Sequence, residues 1–293
     1  MDDIKLSDAR RVFEDVNLEE ILFVSDIEHF TNECKDRLLK EIKNKKIKLV
    51  VFLGDILSFL TKYSSYVALL DKSDVLVNLF YKKIKDDIFS SKSKLIIGLK
   101  ISDYLKKAIN REKDEKFYLK NFKDFIKNCK KQAVNIIYYS GNHDFVLDGG
   151  KMGDNLKFIP FLKEIINHEN LYVPYKDLEL ITLNRELFLM GVHTHSDEST
   201  CNQYLNLINP LNQVEKPEKI IFVSHIPGKT KYIHLGSEEI TLFKRKFKFK
   251  YHYHGHCRNY YGEYLEEGIP TKSVHINDNP LKSDSDKGKL LKK

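Results

Sequence analysis

At 293 residues and 34.4 kDa, with 42% hydrophobic and 12% aromatic residues, the chain can bury a large core and falls outside the compositions of disordered and fibrous proteins. No apolar run approaches the roughly 18 residues of a membrane span, and the opening Met1-Asp2-Asp3-Ile4-Lys5-Leu6 lacks the apolar core of a signal peptide, so a cytoplasmic protein with no membrane partner is expected. The net charge of +7 is uneven: positions 59–131 carry 18 Lys and Arg against 9 Asp and Glu, and positions 281–293 carry 5 against 2.

In chain order, residues 21–25 form a short apolar run of strand type, followed by an acidic turn and a helical stretch over 31–45. Residues 47–53 are β-branched and nearly continuous in apolar character, as expected of a strand covered on both faces, and the run ends at Gly54-Asp55. This strand, helix, strand order implies a parallel pair. From about 59 to 131 the pattern turns helical, with Tyr118, Phe122, Phe125, Ile126 and Cys129 on one face, and the segment is expected to be a helical insertion. Its lysines read as a solvated helical surface, with nucleic acid as the partner that such an excess would suit. Strand character returns at 134–139 and leads into Gly141-Asn142-His143-Asp144, and Pro160 opens a further short helix.

Beyond residue 170, two runs at 178–183 and 186–192 flank Asn184-Arg185 and suit a hairpin. A strand at 220–224 ends at His225, Ser237 with Glu238 and Glu239 marks a helix start, and a strand at 249–254 ends at Gly255-His256. Two last strands are expected at 260–265 and 271–276, leaving 281–293 as a disordered basic tail behind a single domain over 1–280. Cys34, Cys129, Cys201 and Cys257 form no Cys-x-x-Cys pair, so they read as reduced thiols rather than as a zinc knuckle or a disulfide framework.

Five strand ends therefore carry a residue able to bind a metal: Asp26, Asp55, Asn142 with His143, His225 and His256. In α/β sheets, ligands collect outside the carboxyl ends of strands, so these side chains can converge although they are far apart in sequence. Carboxylate, amide oxygen and imidazole together suit manganese, iron or zinc. Ser25-Asp26, Gly54-Asp55, Gly141-Asn142-His143-Asp144, Ser224-His225 and Gly255-His256 resemble, in kind and order, the motifs of the calcineurin-like metallophosphoesterase superfamily. The stretch from His225-Ile226-Pro227 through His234-Leu235-Gly236-Ser237 to Gly255-His256 is similar to its prokaryotic, archaeal-type members.

The resemblance implies a four-layer α/β/β/α sandwich of two mixed sheets holding two divalent metal ions. By that resemblance Asp26 binds the first metal, Asp55 bridges, and Asn142, His225 and His256 bind the second. His143 donates to the phosphoryl oxygen or the leaving group instead of binding metal. The implied reaction is hydrolysis of a phosphomonoester or phosphodiester by a metal-bound hydroxide, on a phosphorylated small molecule or a nucleotide.

Three positions depart from the family pattern. Asp26-Ile27-Glu28 places a carboxylate where Asp-x-His is usual; strand alternation keeps Glu28, not His29, on the face of Asp26, which makes Glu28 a candidate ligand and favours manganese or magnesium over zinc. Gly255-His256-Cys257-Arg258 supplies Arg258 in place of a second histidine; a guanidinium cannot ligate a cation but can clamp a phosphate. Ser58 stands where a second Asp often orients the catalytic histidine. These changes weaken the first metal site and define the rival reading, a scaffold that kept the fold and lost turnover. His193, His195, His252, His254 and Cys257 read first as packed or solvated residues.

Overall fold

The computed structural model describes residues 3–13, 15–27, 29–56, 117–141, 144, 167–174, 176–194, 213–230, 233, 236–256 and 262–274. The expected helix at Pro160, the basic tail and most of the expected insertion lie outside them. After the short β1 (Arg10–Arg11), β2 (Ile21–Val24) leads into α1 (Asn32–Lys45) and β3 (Leu49–Leu53). The end of the basic segment forms α2, over 117–131, before β4 (Asn135–Tyr139) and β5 (Leu171–Tyr172). The second half contributes β6 (Leu180–Asn184), β7 (Leu187–Val192), β8 (Ile220–Ser224), α3 (Glu238–Phe247), β9 (Tyr251–His254), β10 (Gly262–Glu266) and β11 (Ile269–Ser273).

Helix α1 starts where Thr31 Oγ1 accepts the Cys34 N–H at 3.2 Å, and it stops at Lys46, whose φ of 53° takes the chain out of the helix. Helix α3 starts the same way, with Ser237 Oγ accepting the Ile240 N–H at 3.1 Å. No helix among the described residues is long and apolar enough to cross a membrane.

The strands form two sheets. One runs β2-β3-β4-β5 and is parallel throughout its described strands. The other, of seven strands in the order β1-β6-β7-β8-β9-β11-β10, is mixed: β6 and β7 form the expected antiparallel hairpin, β10 and β11 form a second, and β7, β8 and β9 run parallel. Side-chain alternation stacks the layers. In β3, Val50 and Phe52 face α1 and α2, where they meet Leu38, Ile42, Phe122 and Phe125, while Leu49, Val51 and Leu53 face the other sheet. In β8, Phe222 packs on Phe243 of α3, while Ile221 and Val223 complete the core between the sheets. The result is the expected four-layer α/β/β/α sandwich, with the smaller sheet parallel rather than mixed over its described strands. The carboxyl ends of β2, β3 and β4 meet those of β7, β8 and β9 along one rim.

Candidate metal centre

Four of the expected site residues are described, and all four sit on that rim. Asp26 and Asp55 follow β2 and β3 of one sheet; His225 and His256 follow β8 and β9 of the other. Asp26, Asp55 and His256 have φ values of 55°, 56° and 66°. The left-handed conformation is uncommon outside glycine and costs on the order of 1–3 kcal/mol at each position. Each lies two residues past the end of its strand, so the conformation shapes the turn that follows β2, β3 and β9. It also ends the alternation on which the preference for Glu28 over His29 rests, because β2 stops at Val24 and the chain has left extended geometry by Asp26. His29 is exposed, its ring stacked on Tyr118 with centroids 5.4 Å apart. Glu28, Asn142, His143 and Arg258 lie outside the described residues, as do Ser58, His195 and Cys257.

The geometry at the centre is tight. Asp55, His225 and His256 each offer one ligand atom, and the three atoms lie within 4.8 Å of one another. His225 Nε2 is 3.2 Å from Asp55 Oδ2, with both side chains buried. On its far side, His225 Nδ1 donates to the Leu53 carbonyl at 2.7 Å, so Nε2 is the nitrogen that faces the carboxylate: protonated, it donates to Asp55 Oδ2, and once deprotonated it offers its lone pair to a cation. Burial opposes a charge on this imidazole, but the Asp55 and Asp26 carboxylates outweigh it and raise its pKa to about 9. Asp26 Oδ2 accepts the His256 backbone N–H at 2.9 Å, tying the two sheets together at this end.

Glycine is required where these loops touch. A Cβ on Gly141 would lie 2.2 Å from Asp55 Oδ1, and one on Gly255 would lie 1.9 Å from Ser25 Oγ and 2.5 Å from Asp26 Oδ2. The glycines of the Gly-Asn-His-Asp and Gly-His motifs are therefore packing requirements of the rim.

Two supporting residues were not assigned by sequence reasoning. Asp144 is buried, and its carboxylate accepts the N–H groups of Asp55 at 2.8 Å, Ile56 at 3.0 Å and Gly141 at 2.7 Å, locking the second motif to the third. Burial and then the Asp55 charge raise its pKa to about 6, against the lowering effects of the Gly141 amide, Tyr138 and His225. His193 accepts the Ser140 N–H on Nδ1 at 3.0 Å and donates from Nε2 to the Pro174 carbonyl at 3.0 Å, so it is a satisfied structural imidazole that holds the start of the third motif. Membership of the motif was the available signal for Asp144. His193 had none beyond its place at a strand end.

A buried carboxylate and two imidazoles, with one ring already oriented by a carbonyl, fit a first-row divalent cation: the imidazoles suit iron or zinc, and the carboxylate suits manganese as well. The family model for calcineurin-like phosphoesterase matches residues 20–257, which takes in all four of these positions. No curated protein matches the chain. One solved crystal structure aligns with a TM-score of 0.48 at 13% identity, covering 86% of this chain and 88% of its own. The crystal structure of TT1561 of Thermus thermophilus aligns with a TM-score of 0.42 at 10% identity, covering 86% of this chain and 87% of its own. With the motifs in family order, the four described site residues on one rim and the family model spanning most of the sequence, the chain belongs to the calcineurin-like phosphoesterases, a family of metal-dependent phosphoesterases.

Proposed function

We propose that this protein hydrolyses a phosphomonoester or phosphodiester at a centre of two divalent cations, with manganese as the preferred metal. The observation that carries the reading is the convergence of Asp55, His225 and His256 from three strand ends in two sheets, with ligand atoms within 4.8 Å. Asp55 has the carboxylate needed to bridge two ions, and Asp26, at the same rim, accepts the His256 amide. When bound, the cations neutralise the phosphate ester and lower the pKa of water.

The chain's own residues do the rest. The Leu53 carbonyl fixes the His225 tautomer, Asp144 holds the Asp55 loop, and the buried rim supplies a low-dielectric floor in which charge is felt strongly. His143 as proton donor, Glu28 as a further oxygen ligand and Arg258 as a phosphate clamp complete the proposal. Because Glu28 and Arg258 replace histidines of the family pattern, we propose that the cation on the Asp26 side is the more labile.

The scaffold alternative is disfavoured by the same rim. Two buried carboxylates, Asp26 and Asp55, act on the single imidazole of His225, and a bound cation would offset the negative charge that the imidazole alone leaves in excess. The test is hydrolysis of p-nitrophenyl phosphate and of its bis ester across a metal series, comparing wild type with Asp55→Asn and His143→Ala. Wild type should turn over with manganese, and Asp55→Asn should lose about a hundredfold or more. A wild type that is inactive with every metal would support the scaffold.

A further inference from the structure

A buried polar cluster lies under the loop that follows His225. Lys244 projects from α3 into the large sheet and is fully buried. All three donors of its ammonium are used: to Glu266 Oε2 at 2.8 Å, to Thr271 Oγ1 at 2.9 Å and to His252 Nδ1 at 3.0 Å. On the other edge of the His252 ring, Nε2 is 2.9 Å from Ser224 Oγ, and Ser224 Oγ is 2.6 Å from the Ile226 carbonyl. The Glu266 carboxylate also touches the same loop, since a Cβ on Gly228 would fall 1.9 Å from its Oε1.

Direction in this chain follows from chemistry. An ammonium has no lone pair, so it can only donate, and His252 Nδ1 must accept. A neutral imidazole that accepts on Nδ1 carries its proton on Nε2, so it donates to Ser224 Oγ. The serine then spends its single hydrogen on the Ile226 carbonyl. Burial and the neighbouring Lys244 charge keep His252 well below its ordinary pKa and hence neutral, while Lys244, lowered by burial to about 8, is still protonated at neutral pH. Ser224 and Ile226 are the residues on either side of His225.

We propose that Lys244 is a positioning residue for the metal centre: its ammonium sets the direction of the chain through His252 and Ser224 to the Ile226 carbonyl, which holds the backbone on both sides of His225. This rests on the reading of His225 as a metal ligand. Residues that orient a ligand in this indirect way matter to affinity, because a ring displaced by a fraction of an ångström no longer matches the coordination geometry.

The test uses the whole chain in three forms: wild type, the charge-neutral double variant Lys244→Met with Glu266→Gln, and Ser224→Ala, which deletes one oxygen at the end of the chain. Histidine nitrogen NMR should show His252 protonated at Nε2 alone in wild type, with that tautomer no longer dominant in the double variant. Manganese titration followed by electron paramagnetic resonance should show affinity weakened about tenfold in both altered forms. Combining all three substitutions should weaken it no further than the larger single effect, because they cut one chain.

Leu38→Ala, in α1 on the opposite sheet, is the control for general loss of stability and should leave manganese affinity within about twofold. Should the double variant fail to fold, Ser224→Ala carries the same affinity prediction. Wild type that binds manganese while both altered forms bind it equally well overturns the positioning role alone, as does a His252 protonated on Nδ1. Wild type that binds no manganese overturns the reading of the site and the positioning role with it.

Discussion

His225 shows how much one side chain can be asked to do. Its ring is oriented by the Leu53 carbonyl, aimed at Asp55 Oδ2 3.2 Å away and enclosed completely. In the metal-free protein, burial disfavours the imidazolium, but Asp55 and then Asp26 more than offset this and bring the pKa to about 9. The folded value lies above the unfolded one, near 6.5, so the pair stabilises the metal-free protein fully below about pH 6.5 and loses that contribution as pH rises through 9. A cation landing on Nε2 must displace the proton that this raised pKa keeps there. Apparent manganese affinity should therefore rise about tenfold per pH unit through neutrality from this one group and level off above pH 9. Calorimetry at pH 7 in buffers of different ionisation enthalpy should count about one proton released per cation from His225; a count of zero would mean that the imidazole is neutral before metal arrives. Asp144 is the complement, a carboxylate given no role by its sequence position yet holding three backbone N–H groups that no solvent can reach.

At the scale of elements, the strands that deliver the site were legible and the turns that aim it were not. Runs such as 49–53, 135–139 and 220–224 are apolar on both faces because helices cover one side and the second sheet the other, so the pattern alone marks them as central strands. Family order then marked their last residues. What the pattern could not carry was the left-handed φ of Asp26, Asp55 and His256, because Asp and His, although enriched in that region among non-glycine residues, occupy it in a minority of cases that hydrophobic pattern does not mark. Lys244 illustrates a misleading local signal. As a lysine near a helix end it reads as solvated, yet it sits four residues after Ile240 and beside the stripe of Ile240, Phe243 and Phe247, so helical spacing places it facing the sheet. The rim glycines offer a direct check on this scale. Gly141→Ala puts a methyl 2.2 Å from Asp55 Oδ1 and 2.5 Å from the Asp55 amide nitrogen, which forces the second motif away from the third. Gly191→Ala crowds the Tyr139 ring and Val223 within the core instead. Both should lower the midpoint of urea unfolding by an amount corresponding to about 1–3 kcal/mol, whereas only Gly141→Ala should abolish manganese binding. Retained affinity in Gly141→Ala would show that the motif loops need not be in contact.

For the whole molecule, the decisive feature is that the candidate ligands are divided between the sheets. Leu49, Val51, Leu53, Ile137 and Tyr139 face Leu189, Ile221 and Val223 across the interior, and Phe23 stacks on Tyr253 with centroids 3.9 Å apart. Each such side chain contributes on the order of 1.5–3 kcal/mol on burial, so the sandwich is held by its core whether or not a cation is present. The rim is different: there the sheets meet through directional bonds, from His225 to the Leu53 carbonyl, from the His256 amide to Asp26 and from the Ser140 amide to His193. A cation bound by Asp55, His225 and His256 would add a cross-link at that rim and would stabilise the fold by mass action, by about 2.7 kcal/mol at a hundredfold excess over its dissociation constant. Amide hydrogen exchange can locate this cross-link. Manganese should slow exchange around Asp26 and Asp55 in one sheet and around His225 and His256 in the other at the same metal concentration. Amides at the amino ends of β3 and β8, near Leu49 and Ile220, should change only as far as global stability does. Protection confined to the Asp26 and Asp55 side would mean that the cation sits on the carboxylates alone and that the two histidines, for all their proximity, do not share it.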